Sequence, residues 1–194
     1  MKITLAIPTN RGVNPLTLES CLKLITKSKH RFEVICPSEG YTIAENRNYI
    51  AVQAVRNGSD YLFFVDDDMA FDEDYVGRMI AHDKDIVGGV YASRMDNSPL
   101  LVYSVEKPLE EPYDLRKDKI EELTDVYAKG TALMLIKTEI FKKIPQPWFE
   151  FTYYDNGKCK EGEDWGFCRK AREYGHKVWA DPTVRTSHIG EAIY

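Results

Sequence analysis

Paired cysteines are missing from this chain. Its four, Cys21, Cys36, Cys159 and Cys168, show no C-x-x-C spacing, which argues against a zinc knuckle or a redox pair and reads as reduced thiols packed as small hydrophobes. A cytoplasmic setting is the expectation. Positive charge is also short: 26 Lys and Arg against 31 Asp and Glu give a formal net charge of −5. That balance provides no basic footprint for nucleic acid or an anionic bilayer, so no nucleic-acid partner is expected. Long apolar runs are absent too. None approaches the roughly 20 residues that a membrane-spanning helix needs, and the apolar start, residues 1–8, is too short for a signal peptide. No transmembrane segment is expected, and peripheral contact with a membrane stays open. With no internal repeat and no linker-like stretch, the 194 residues read as a single domain, 1–194, 43% hydrophobic and 29% charged.

What is present is organised around Tyr61-Leu62-Phe63-Phe64-Val65-Asp66-Asp67-Asp68-Met69. An apolar run without polar alternation is the pattern of a strand buried on both faces, as in a parallel sheet. Its carboxyl end carries three consecutive acids. In open α/β sheets ligands bind at that edge, and adjacent like charges call for a compensating cation. Alternation along an extended chain would pair Asp66 with Asp68 and turn Asp67 aside. A solvated acidic turn before the next helix is the plain alternative.

Around this strand the chain alternates. Residues 2–7 read as a first strand, stopped by Pro8 and the polar turn Thr9-Asn10-Arg11-Gly12, and Pro15 opens a helix with Leu18, Cys21, Leu22 and Ile25 inward. Residues 32–36 form a second strand, ended by Pro37-Ser38-Glu39-Gly40, and a helix from Thr42 carries Ile50, Ala51, Ala54 and Val55 on one face until Asn57-Gly58. After the acid-tipped strand come a short helix over 75–80 and a fourth strand over 85–90. This is the alternation of a doubly wound α/β sheet.

The chain changes character near Tyr91. Residues 92–126 are rich in charge and proline, with one strand candidate over 100–105, and a loop of that length is a candidate cover for a site. Residues 128–136 read as one buried strand, Thr138 as the cap of a short helix to Lys143, and Trp148, Phe149 and Trp165 as aromatics that are core in the plain reading, with at most one a binding platform. Gly162-Glu163-Asp164-Trp165 opens a helix with Trp165, Cys168 and Ala171 inward, ended by Gly175; short strands over 177–180 and 183–187 follow, with His188 just beyond. His30, His82 and His176 are given no role.

Taken together, Ile7-Pro8-Thr9-Asn10, Asn46-Arg47-Asn48, Val65-Asp66-Asp67-Asp68 as a D-x-D motif, Lys129-Gly130-Thr131-Ala132-Leu133-Met134, Gly162-Glu163-Asp164 leading into Cys168-Arg169-Lys170-Ala171, and Ser187-His188 resemble the GT-A glycosyltransferases of the family 2 type. The resemblance runs almost the full length. It implies a Rossmann-like GT-A domain with a mostly parallel central sheet flanked by helices and a small second sheet, residues 1–91 being the nucleotide-binding half and 92–194 the acceptor side. It also implies a UDP- or GDP-sugar donor, Mn²⁺ or Mg²⁺, and a carbohydrate or other hydroxyl acceptor.

Residue by residue, the resemblance implies that Asp66 lies near the ribose and, with Asp68 and His188, at the metal, with Asp67 as their neighbour. A histidine and carboxylates suit Mn²⁺. Pro8, Thr9, Asn10 and Arg11 would face the nucleotide, Glu39 the base, and Arg47 the diphosphate or base through its planar fork; Arg94, at the mouth of the fourth strand, is a further candidate of the same kind. Gly130 would let backbone approach the ligand. Asp164 would be the general base and Glu163 its neighbour, orienting it or the acceptor; acids that merely complement a helix start are the plain alternative. Three other readings remain open: a retaining transferase on the same fold, a sugar nucleotidyltransferase, for which Thr9-Asn10-Arg11-Gly12 is a poor phosphate loop, and a non-catalytic nucleotide-sugar-binding module.

Overall fold

The computed structural model describes residues 1–37, 42–91, 102–105 and 120–190, so Glu39 and Arg94 lie outside the described residues. In chain order the strands are β1 (Lys2–Ala6), β2 (Arg31–Ile35), β3 (Tyr61–Val65), β4 (Met69–Ala70), β5 (Ile86–Val90), β6 (Val102–Tyr103), β7 (Thr124–Val126), β8 (Ala128–Lys129), β9 (Leu133–Lys137), β10 (Thr152–Tyr153), β11 (Cys159–Glu161), β12 (Val178–Arg185) and β13 (Ser187–His188). The helices are α1 (Pro15–Lys27), α2 (Ile43–Arg56), α3 (Tyr75–Ala81) and α4 (Glu163–Glu173), with a 3₁₀ turn at Thr138–Lys142.

A seven-stranded sheet runs β2-β1-β3-β9-β5-β12-β7. Strands β2, β1 and β3 are mutually parallel, as are β5 and β12, while β9 enters antiparallel between β3 and β5. The mixed α/β architecture with a largely parallel sheet is as expected. Strand β3 is buried along its whole length: Leu62 and Phe64 pack on one face with α2, and Tyr61, Phe63 and Val65 on the other with Cys21 and Leu24 of α1. In place of one small second sheet, the described residues form three two-stranded ones, β10-β11, β13-β4 and β6-β8.

Helix starts follow their caps. Asn14 accepts from Leu16 N at 2.9 Å before Pro15, and Thr42 with Glu45 forms a capping box at α2. The inward face of α1 differs from the expected one: Thr17, Ser20, Cys21 and Leu24 are buried, whereas Leu18 and Leu22 are half exposed. Hydrogen bonds override the apolar pattern here. Thr17 Oγ1 donates to Asp67 O at 3.1 Å and Ser20 Oγ accepts from Phe71 N at 3.1 Å, so the helix is rolled to hold the acidic turn.

Residues 128–136 are two strands, not one. A Cβ on Gly130 would stand 2.1 Å from Tyr91 Oη, and that hydroxyl accepts from Ala132 N at 3.0 Å, which turns the chain between β8 and β9. Residues 178–185 are conversely one strand, whose register against β5 shifts between Asp181 and Arg185. Thr138 is not a side-chain cap; its hydroxyl donates to the carbonyls of Ser59 and Asp60, tying the 3₁₀ turn to the start of β3.

Candidate active site

Parallel strands β1 and β3 end at the same edge, and beyond them lies an open cleft of about 250 Å³ lined by Pro8, Thr9, Asn10, Arg11, Ile43, Asp66, Asp67 and Asp68. A larger hollow of about 500 Å³ sits at the amino edge of β3, beside Asp60, Lys137 and Thr138. Ligand sites of open α/β sheets form at carboxyl ends, so the smaller cleft is the candidate.

Its acids are not arranged by simple alternation. Asp67 and Asp68 lie in a turn after β3, and both are buried, at 8% and 4% exposure. The guanidinium of Arg11 spans them: Nη2 donates at 2.9 Å to Asp67 Oδ1 and at 2.9 Å to Asp68 Oδ2. Thr9 Oγ1 donates to Asp67 Oδ2 at 2.5 Å. The expected pairing of Asp66 with Asp68 is therefore replaced by Asp67 with Asp68, because the turn breaks the two-residue period. Asp66 faces the other way. Its Oδ1 accepts from Arg47 Nη2 at 2.9 Å, and Arg47 Nη1 donates to Glu163 Oε1. Arg47 is itself buried, so one guanidinium joins the end of β3, helix α2 and the first turn of α4. The predicted Arg47, Asp66 and Glu163 are thereby brought together.

Asp164 follows Glu163 on α4, with Oδ1 accepting from Trp165 N at 2.9 Å. Burial pushes its carboxyl above the usual range, and the charge of Asp66 adds to this, while Arg47 and the Trp165 amide oppose it. A Cβ on Gly130 would come within 3.5 Å of Asp164 Oδ2, so the glycine leaves backbone beside the acid. His188 lies on β13, paired with Met69 on β4, and Ile189 N donates to Asp68 O at 2.8 Å. Its ring meets Tyr91 edge-on at 5.2 Å. Asp68 thus stands in the turn just before β4, next to Met69, the residue that pairs with His188.

Among the described residues no three His, Cys, Asp or Glu side chains cluster as a metal site, and Asp66 turns to Arg47. What remains is the carboxylate of Asp68 in the turn before β4 and the imidazole of His188 on β13, with Arg11 already seated on Asp68. A divalent cation fits such a pair when phosphate oxygens and water complete its shell. Among the described residues, the buried polar atoms Asn46 Oδ1, Arg47 Nε and Thr131 Oγ1 have no hydrogen-bond partner. Buried polar groups are normally satisfied, so an acceptor and a donor on α2 and a hydroxyl on the turn after β8 leave partners for a polar ligand.

Of the aromatic candidates, Trp148 and Phe149 are core residues and Trp165 is half-buried, packed edge-on against Tyr103 at 4.5 Å. His82 and His176 pair with Asp181 and Asp85, each at 2.8 Å, as structural contacts. Sequence reasoning quoted Asn46 and Lys129 within motifs but gave neither of them, nor Tyr91, a place of its own. Asn46 Nδ2 donates to Asn10 Oδ1 at 3.1 Å and stiffens the first loop. The available signal for Lys129 was a single cation inside an otherwise apolar run.

No protein-family profile and no curated protein matches the chain. Solved structures do. A197 from STIV superposes with a TM-score of 0.68 at 18% identity, covering 98% of this chain and 87% of that one. GalNAc-T7, crystallised with UDP, GalNAc and Mn²⁺, gives 0.64 at 15% identity, with 98% of this chain on 44% of its own length. S. aureus TarS 1-349, in complex with UDP-GlcNAc, gives 0.54 at 14%, with 100% of this chain on 60% of that one. The fold of this chain is the GT-A fold.

Proposed function

We propose that the protein is a glycosyltransferase that moves a sugar from a nucleotide-diphosphate donor to an acceptor hydroxyl with inversion, Asp164 acting as general base. The observation that carries this reading is the Arg47 bridge, which joins Asp66 of the nucleotide-side acids to Glu163, the neighbour of Asp164, and so ties the end of β3 to the start of α4. The neighbours crystallised with UDP, or with UDP-GlcNAc, support a uridine nucleotide as the first donor to try.

In this reading Pro8, Thr9, Asn10 and Arg11 line the nucleotide side, with Asp66 toward the ribose, and Arg11 exchanges part of its hold on Asp67 and Asp68 for the diphosphate. Asp68 and His188 are the residues that would hold a divalent cation, which when bound supplies positive charge for a departing diphosphate. Asp164 takes the proton of the acceptor hydroxyl as its oxygen attacks the anomeric carbon. Its raised pKa makes it a stronger base than a surface carboxylate. Glu163, fixed by Arg47, holds the first turn of α4 in place. Residues 130–132 approach through backbone, which suits close packing against a sugar.

Thermal unfolding with UDP, GDP and their sugars, each with and without Mn²⁺ or Mg²⁺, tests the proposal. At a hundredfold excess over Kd a ligand adds about 2.7 kcal/mol of stability. A metal-dependent rise in Tm with one nucleotide, lost in Asp68→Ala, is expected. No shift with any nucleotide, or a shift equal in Asp68→Ala, overturns the donor site.

A further inference from the structure

Lys129 has no exposed surface, and among the described residues it makes no salt bridge. Burying an ammonium without a counter-ion is costly, yet the chain is shaped around this one. Nζ donates to Gly130 O at 2.7 Å and more weakly to Leu133 O at 3.4 Å, and it lies 5.5 Å from the ring centroid of Tyr91. A Cβ on Gly88 of β5 would stand 2.4 Å from Nζ, so glycine there leaves the volume the ammonium fills. The cation therefore clamps both ends of the turn joining β8 to β9. That turn carries the carbonyl of Ala132, which accepts from Asp66 N at 3.1 Å, and Gly130, which backs onto Asp164.

The charges around Asp164 explain why a cation is kept there. Arg47 spends one nitrogen on Asp66 and another on Glu163, so a single guanidinium serves two carboxylates before Asp164 is considered. The other titratable groups facing this acid are the carboxylate of Asp66, the phenols of Tyr91 and Tyr103 and the thiol of Cys168, the last three held neutral by burial. Lys129 is the second positive charge on the far side of the turn, and its field acts on Asp66 and Asp164.

We infer that Lys129 is a positioning residue of the candidate site, whose buried ammonium fixes the 130–133 turn and serves as the counter-charge that keeps Asp164 ionised. The inference rests on the reading of Asp164 as base, and its test works without turnover. Side-chain carboxyl ¹³C titration of the full chain by NMR reads Asp164 directly. Removing a neighbouring cation disfavours the carboxylate, so Lys129→Met is expected to raise the Asp164 pKa by about one unit. The acid limb of the donor-sugar hydrolysis or transfer profile should move up equally while UDP affinity stays constant. An Asp164 titration unmoved in Lys129→Met overturns the inference.

Should that variant not fold, Asp164→Asn with ¹⁵N-lysine detection gives the reciprocal measurement. The Lys129 pKa, held down to about 8 by burial, is expected to fall further when a facing carboxylate is lost, and an unchanged value overturns the inference. A shifted Asp164 in a protein that binds no nucleotide would sink the transferase reading and leave the Lys129 pairing standing. The opposite pair of results would do the reverse.

Discussion

Arg47 shows how much one side chain decides. It is buried, and it neutralises Asp66 and Glu163 from two different elements. Removing one partner of a buried charge network leaves the others uncompensated. Arg47→Met is therefore expected to lower the unfolding free energy by about 3 kcal/mol in urea titrations at neutral pH. Asp164 makes the opposite prediction. Its carboxylate forms its hydrogen bond to the Trp165 amide, which Asn can keep. Asp164→Asn should leave nucleotide binding and Tm near their starting values and cut transfer on the order of 100- to 10,000-fold, the usual contribution of a general base. Equal initial rates in the two proteins would remove Asp164 from the reaction.

At the level of elements, the acid turn is held by pieces remote in sequence. Helix α1 grips Asp67 through Thr17, β13 pairs with β4 just past Asp68, and the 130–132 turn holds the Asp66 amide. Glycines in β5 set how close the neighbours come. A Cβ on Gly89 would stand 2.5 Å from Val184 O, a backbone atom of β12 that cannot step aside. Gly89→Ala should cost about 1–3 kcal/mol, as overpacked cores do, read as a lowered urea midpoint with unchanged m-value. Strand β3 and the amphipathic face of α2 were legible because continuous apolar sequence and caps report burial directly. The roll of α1 was not, because two hydroxyls bonding across the fold outweighed Leu18 and Leu22. Nor was the break at Gly130, which exists because Tyr91 occupies the space a straight strand would cross.

For the molecule as a whole, acid should loosen the sheet. Burial tends to raise the Asp85 and Asp181 carboxyls. For Asp85 the hydrogen bond from His176 and the charge of Lys137 overcome this; for Asp181 the bonds from Thr183 and His82 do, so both pKa values end below the ordinary 3.8. A depressed carboxylate contributes stability that is present above its unfolded pKa and is lost as pH falls through the folded value. Stability should therefore drop below about pH 4, and Asp85→Asn with Asp181→Asn should flatten that limb of the urea midpoint against pH. A limb of unchanged slope in the double variant would refute this. The strand and helix alternation of the first half, the buried third strand and the gathering of acids at its end were determined by the sequence alone, since periodicity, caps and turn residues act locally. Which acid faces which cation, the insertion of β9 between β3 and β5, and the burial of Lys129 were decided only by tertiary structure. Those outcomes depend on long-range pairing and on where charge can be compensated in a low-dielectric interior, and no local pattern encodes either.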